Sequence, residues 1–311
     1  MRTSVLKISF YILLLVAATL FIAAYFLIPS QIDVSIAAKI GCNRNAASRI
    51  INNQWDEVLN KNLNSNNATN GYSYTVSKQL YSAANIRVNN GNADYSTDLV
   101  LLPLNHDSTL LKWSTTIRQG NNPIQKLIAY YNAYTLKQNM TEVTQQLRRF
   151  LESTQSVYHY NITHTTLTDT VLISTKILCN VYPSTAQIYA LVQGLRQYIN
   201  EQDAYATNYP MLNVTKTDSG FITMVGIPTS RQLPAKGNFY PKRLIPYPDK
   251  ILTTQVIGGT SSILNAYRQI ELYMLDHSLE APVIPFEQMI TDRSKERDTS
   301  KWVTKIFYPI V

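Results

Sequence analysis

From Ile8 to Ile28 the chain reads ISFYILLLVAATLFIAAYFLI, without a charge or a proline. At a rise of about 1.5 Å per residue, a helix of this run spans a hydrocarbon core of roughly 30 Å. A lone span in lipid must satisfy its own backbone hydrogen bonds, so a helix is the expected form. Tyr11 and Tyr25 stand near its two ends, where interfacial aromatics collect, and Pro29 stops it. The alternative is a cleaved signal peptide, for which MRTSVLK would serve as the charged leader. The apolar run, however, exceeds the roughly 7–15 residues of a signal's hydrophobic region, and no convincing small-x-small site follows it. The sequence predicts an uncleaved anchor over residues 1–29, with lipid contact through 8–28. Arg2 and Lys7 precede the run, whereas Asp33 comes before any Lys or Arg beyond it. The positive-inside rule then predicts a cytoplasmic N-terminus, and in a bacterial inner membrane a periplasmic body.

About 280 residues remain, enough for two domains of the usual size. The net charge is +8 and the pI near 9.3. A nucleic-acid surface would gather its Lys and Arg on one face. Here they are scattered, the densest pairs being Arg148-Arg149 and Lys242-Arg243, so no nucleic-acid partner is expected. The two cysteines, Cys42 and Cys179, are far apart and make no CxxC or Cys/His spacing, which excludes a structural zinc site and favours two buried thiols. The histidines (106, 159, 164 and 277) have no carboxylate cluster beside them. There is no GxSxG, HExxH, P-loop or GxGxxG. No catalytic residue, metal or cofactor is expected.

Residues 30–165 read as strand, helix, meander, helix. Ile32–Ile40 suits a strand, and Asn43 or Asn45 can cap a helix over about 45–60 with Ile50, Ile51, Trp55, Val58 and Leu59 inward. NLNSNNATNG (62–71) is loop chemistry. Strands are predicted at 72–80, 85–89, 95–104 and 109–118, with a closing helix near 139–152 carried by Met140, Val143, Leu147, Phe150 and Leu151. This order, with the segment IPSQIDVSIAAKIGCNRNAASRIINNQWDEVLN and its Trp55, resembles the SRPBCC (START-like, helix-grip) superfamily. The resemblance implies a curved antiparallel sheet around a long helix enclosing an apolar cavity; it implies no reaction.

Residues 166–311 contain a repeat. An offset of 75 residues sets Tyr198 on Tyr273, Ala206 on Ala281 and Pro210 on Pro285. Each copy reads strand–helix–strand–strand: 171–178, 184–201, 210–216 and 220–228, then 250–257, a helix begun at Ser261 or Ser262, 283–291 and 302–310. The expected fold class is therefore α+β: a transmembrane helix, a helix-grip antiparallel sheet, and a pseudo-twofold βαββ pair. The segments GFITMVGIP, ILTTQVIGGTSSILNAYRQIELYMLDH, PFEQMITDR and KWVTKIFYPIV resemble the GyrI-like small-molecule-binding domain, the effector-binding domain of AraC-type regulators. That resemblance implies a groove between the halves, with Glu287 at the family's characteristic glutamate. Tyr267, Phe286, Trp302 and Tyr308 are candidate aromatic walls. Periodicity alone leaves Glu287 either at the groove or exposed at a sheet edge.

The function expected is non-catalytic binding of a small, partly apolar, cationic or hydrogen-bond-donating molecule by a membrane-anchored protein. One alternative is hydrolysis of small electrophiles, with Glu287 and Tyr267 or Tyr308 assisting water. Another is a structural or partner-binding envelope module.

Overall fold

The computed structural model describes residues 2–55, 58, 71–120, 122–245 and 249–311; within the first helix the side chains at 2–9, 11, 17, 20, 23 and 24 lie outside the description. Arg2–Leu27 form helix α1. Among the described residues no helix is long and apolar enough to cross a membrane, so the span expected over 8–28 is not supported at this level. The chain is a mixed α+β protein with two antiparallel sheets. It divides into two units, Met1–Glu152 and Ser153–Val311.

The first unit holds β1 (Gln31–Ile40), α2 (Arg44–Asn53), β2 (Ser73–Leu80), β3 (Ala83–Asn89), β4 (Asp94–Asn105), β5 (Ser108–Arg118) and α3 (Pro123–Leu151). Its sheet runs β1-β5-β4-β3-β2. Alternation sets one face inward: Ala84, Ile86 and Val88 on β3, Tyr95, Thr97, Leu99 and Leu101 on β4, Leu111 and Trp113 on β5. The helix stripe of Leu136, Met140, Val143 and Leu147 is also buried. Trp113 is the centre of this core. Its ring meets Trp55 edge-on at 6.3 Å, and its Nε1 donates to Thr97 Oγ1 at 2.7 Å. The buried Tyr74 hydroxyl donates to Asn139 Oδ1 at 2.6 Å, and burial pushes the phenol's pKa up.

The closing helix begins at 123 instead of 139. Asn122 caps it by accepting from the Ile124 amide, and Pro123 occupies the first turn, where its missing N–H costs nothing. The sequence GNNP thus starts a helix as well as ending a strand. Asn43 caps α2 in the same way, accepting from the Asn45 amide. The expected continuation of α2 to residue 60 and the loop at 62–71 lie largely outside the described residues.

The second unit holds α4 (Thr154–Tyr158), β6 (Thr163–Thr165), β7 (Val171–Cys179), α5 (Thr185–Glu201), β8 (Met211–Thr217), β9 (Gly220–Pro228), β10 (Tyr240–Arg243), β11 (Ile251–Ile257), α6 (Thr260–His277), β12 (Phe286–Met289) and β13 (Val303–Pro309). The strand order β10-β7-β9-β8-β12-β13-β11-β6 carries the repeat as mirrored triplets, β7-β9-β8 against β12-β13-β11. At the offset of 75, the first residue of α5 falls on the first of α6, and that of β8 on that of β12. Strand β12 is shorter than the expected 283–291. Pro282 and Pro285 precede it, and proline cannot donate to a ladder. Helices α5 and α6 pack on one face of the sheet. Ile173, Leu212, Val225, Ile227 and Met289 meet α5 there, through Ile188, Val192, Leu195 and Ile199.

Candidate functional site: a cavity on the helix-free face

Because side chains alternate along a strand, the neighbours of these core residues point to the other face. Leu172, Ser174, Met224, Gly226, Met211 and Phe286 line a cavity of about 720 Å³ there. Its origin is legible in the register. Ser174 pairs with Gly226, and Gly226 pairs with Met211, so two of three adjacent positions carry almost no side chain. A Cβ on Gly226 would stand 2.6 Å from Leu172 Cδ1. Leu244, Ile245, Val283, Ile284 and Val311 complete the rim. Phe286 anchors one wall by stacking on Phe307, with centroids 5.0 Å apart and planes 12° from parallel.

Few polar groups enter this space. The Ser174 hydroxyl donates to the Tyr240 carbonyl at 3.1 Å, and the Asn213 amide to the Pro285 carbonyl at 2.8 Å. The charged lining consists of Lys242, Arg243 and Lys250.

Four of the five residues singled out in the sequence fall on one side of the sheet and the fifth, Phe286, on the other. Glu287 pairs in register with Ile306 and with Leu212, which places it on the helix-bearing face; Phe286, one residue earlier, faces the cavity. Glu287 is buried, and its Oε2 accepts from Arg293 Nη2 at 3.0 Å. The same nitrogen reaches Thr304 Oγ1 at 2.8 Å, and the guanidinium lies 5.0 Å from the Trp302 ring centroid. The Arg293 amide donates to the Tyr189 hydroxyl at 2.7 Å. Tyr267 and Tyr308 meet edge-on at 6.2 Å. Thus Glu287, Tyr267, Trp302 and Tyr308 share the helix-bearing side.

The electrostatics there are those of a closed ion pair. Burial raises the Glu287 carboxyl's pKa, and the Arg293 charge and hydrogen bond oppose that rise. Burial, then the Glu287 charge, pushes the Tyr182 phenol up to about 12 and also raises Tyr267. Glu287 therefore offers a ligand no uncompensated negative charge. Arg293 was the residue that periodicity missed: it sits in the polar run TDRSKERDTSK, where alternating charge reads as solvent-facing. The cavity had a fainter signal in MVGIP, whose lack of polar alternation marks a strand with two apolar faces.

The first unit has a smaller, polar cleft of about 320 Å³, whose lining includes Tyr72, Asn90, Asn132, Gln138 and Asn139. Among the described residues no group of three or more His, Cys, Asp or Glu could hold a metal.

No family model and no curated protein matches the chain. Among solved structures it is similar to the EcmrR C-terminal domain, at 15% identity and a TM-score of 0.40, over 49% of this chain and 98% of that one. A hydrolase from Listeria innocua aligns at 9% identity and a TM-score of 0.37, over 49% and 91% of the two chains. SAV2435 bound to tetraphenylphosphonium aligns at 12% identity and a TM-score of 0.32, over 49% and 93%. All three scores fall below 0.5 and carry no functional inference.

Proposed function

We propose that this chain is a membrane-anchored small-molecule-binding protein whose ligand occupies the helix-free face of the second sheet. The observation that carries this reading is the cavity itself. Its volume of about 720 Å³ lies inside the roughly 300–1,000 Å³ usual for ligand sites, and such sites are likewise mostly apolar with a few polar groups. Binding without turnover is favoured by the position of Glu287, the expected acid–base group, on the other face and against Arg293. Thermal unfolding of the full chain in phosphatidylcholine nanodiscs tests this. Decanol at 100 times its Kd should add about 2.7 kcal/mol, and Met224→Trp, which fills the cavity, should abolish the gain. A gain that survives Met224→Trp would place the ligand elsewhere.

The anchor is supported by exposed apolar side chains along α1, Leu13, Ile22 and Phe26 among them. A second support comes from α3. Ile124, Leu127, Ile128 and Tyr131 are exposed at i, i+3, i+4 and i+7, one helical face. In their midst the buried Lys126 donates to the carbonyls of Tyr25 and Ile28, each at 2.9 Å, so this face lies beside the end of α1. A bilayer would cover both surfaces together. Full-length protein should stay with membranes through alkaline carbonate extraction and lose that retention when residues 1–29 are removed; release of the full-length chain would refute the anchor.

A further inference from the structure

The charge around the cavity narrows the class of ligand, and this inference rests on the cavity being the binding site. Among the described residues, every charged side chain in its lining is a cation: Lys242, Arg243 and Lys250. Among the described residues no Asp or Glu lines it, and none of the three cations makes an ion pair. All three are exposed, so their alkyl stems can lie along apolar surface while the charged ends reach water at the rim. The register sets Lys242, which pairs with Leu172, on the cavity face, whereas Arg243 pairs with Val171 at the end of the edge strand and Lys250 precedes β11. The remaining polar lining, Ser174 and Asn213, already donates to backbone carbonyls. A ligand's polar end thus meets positive charge, and its body meets Met211, Met224, Phe286 and Ile251.

We infer that the cavity takes an amphipathic anion: an acyl or alkyl body with a terminal carboxylate or phosphate held by Lys242, Arg243 and Lys250. This reverses the charge that Glu287 suggested in the sequence. A cation would have to enter past three like charges, while the nearest expected carboxylate lies through the sheet, neutralised by Arg293.

The test uses ligands of one chain length: decanoate, decyl phosphate, decanol and decyltrimethylammonium, each below its micellar concentration. They are titrated calorimetrically into the full chain in phosphatidylcholine nanodiscs, with empty nanodiscs subtracted. At least one anion should bind tenfold or more tightly than decanol, and decyltrimethylammonium should bind more weakly than decanol. The tighter anion identifies the headgroup. The triple variant Lys242→Gln, Arg243→Gln, Lys250→Gln alters only exposed side chains; it should weaken the anion at least tenfold and change decanol less than twofold. The anion's affinity should also fall with added salt. Equal affinity for decanol and both anions, tighter binding of the ammonium, or an anion indifferent to the triple substitution would overturn the inference while leaving the cavity as a binding site. Failure of all four ligands to bind would overturn both.

Discussion

At the scale of single residues, the Glu287–Arg293 pair separates stability from binding. Removing one member of a buried ion pair leaves the other charge uncompensated, at a cost of roughly 3–5 kcal/mol. Glu287→Gln should therefore lower unfolding stability by about that amount in a denaturant titration, yet leave the affinity of a cavity ligand unchanged. A loss of affinity without loss of stability would return Glu287 to the binding site. Glu152 makes a milder case. Desolvation pushes its carboxyl up, but the Gly41 amide at 3.0 Å and Arg148 at 2.8 Å outweigh this and hold its pKa below the ordinary value. A depressed carboxyl stabilises the fold above its unfolded pKa, and that contribution is lost as pH falls through the folded pKa. Glu152→Gln should cost about 0.5–1 kcal/mol at neutral pH, and the gap from the parent should close in acid. A gap independent of pH would contradict this assignment. The face of Glu287 was legible in part: strand period sets it with Met289, but the same period also set Val283 there, which lies outside β12 and lines the cavity, and Phe286 was grouped with Glu287 although the strand opposes them. The partner of Glu287 was not legible, because a loop arginine can fold back over a strand without leaving a periodic trace.

At the scale of elements, Lys126 joins the end of α1 to the start of α3. The final carbonyls of a helix have no intrahelical donors, and a cation there is favoured by the helix dipole. Lys126→Met should release this junction at a cost of about 1.5–3 kcal/mol, the usual worth of hydrogen bonds from a charged group. Hydrogen exchange reads the effect: amides at 122–126 and 28–31 should exchange faster, while those of β8 and β9 stay unchanged. Unaltered exchange at 28–31 would mean that the contact holds nothing in place. The strands of the first sheet were readable because each has one buried face and one wet face. The start of α3 was not, because its first two turns keep Ile124, Leu127, Ile128 and Tyr131 exposed, and their apolar stripe lacks a protein core to face. β6 and β10 are three and four residues long, too short for a periodic signal, and β10 contains Pro241, as edge strands tolerate.

At the scale of the molecule, the tandem repeat was visible in sequence because its helices and β8/β12 begin in the same phase. The cavity was not, since it depends on which residues fall beside one another across strands: the small Ser174 and Gly226 become neighbours, with Met211 beside them, only through the register of β7, β9 and β8. A sheet with helices on one face leaves the other to be covered by loops, by solvent or by a ligand. Here the described residues leave an apolar space on that face, with Lys242, Arg243 and Lys250 in its lining. The most direct test of this account is a single comparison of decanol's dissociation constant in the parent chain, in Met224→Trp and in Glu287→Gln, each in nanodiscs below its unfolding temperature. The account predicts that Met224→Trp abolishes binding and that Glu287→Gln leaves the constant within twofold; binding that survives Met224→Trp but disappears with Glu287→Gln would contradict it.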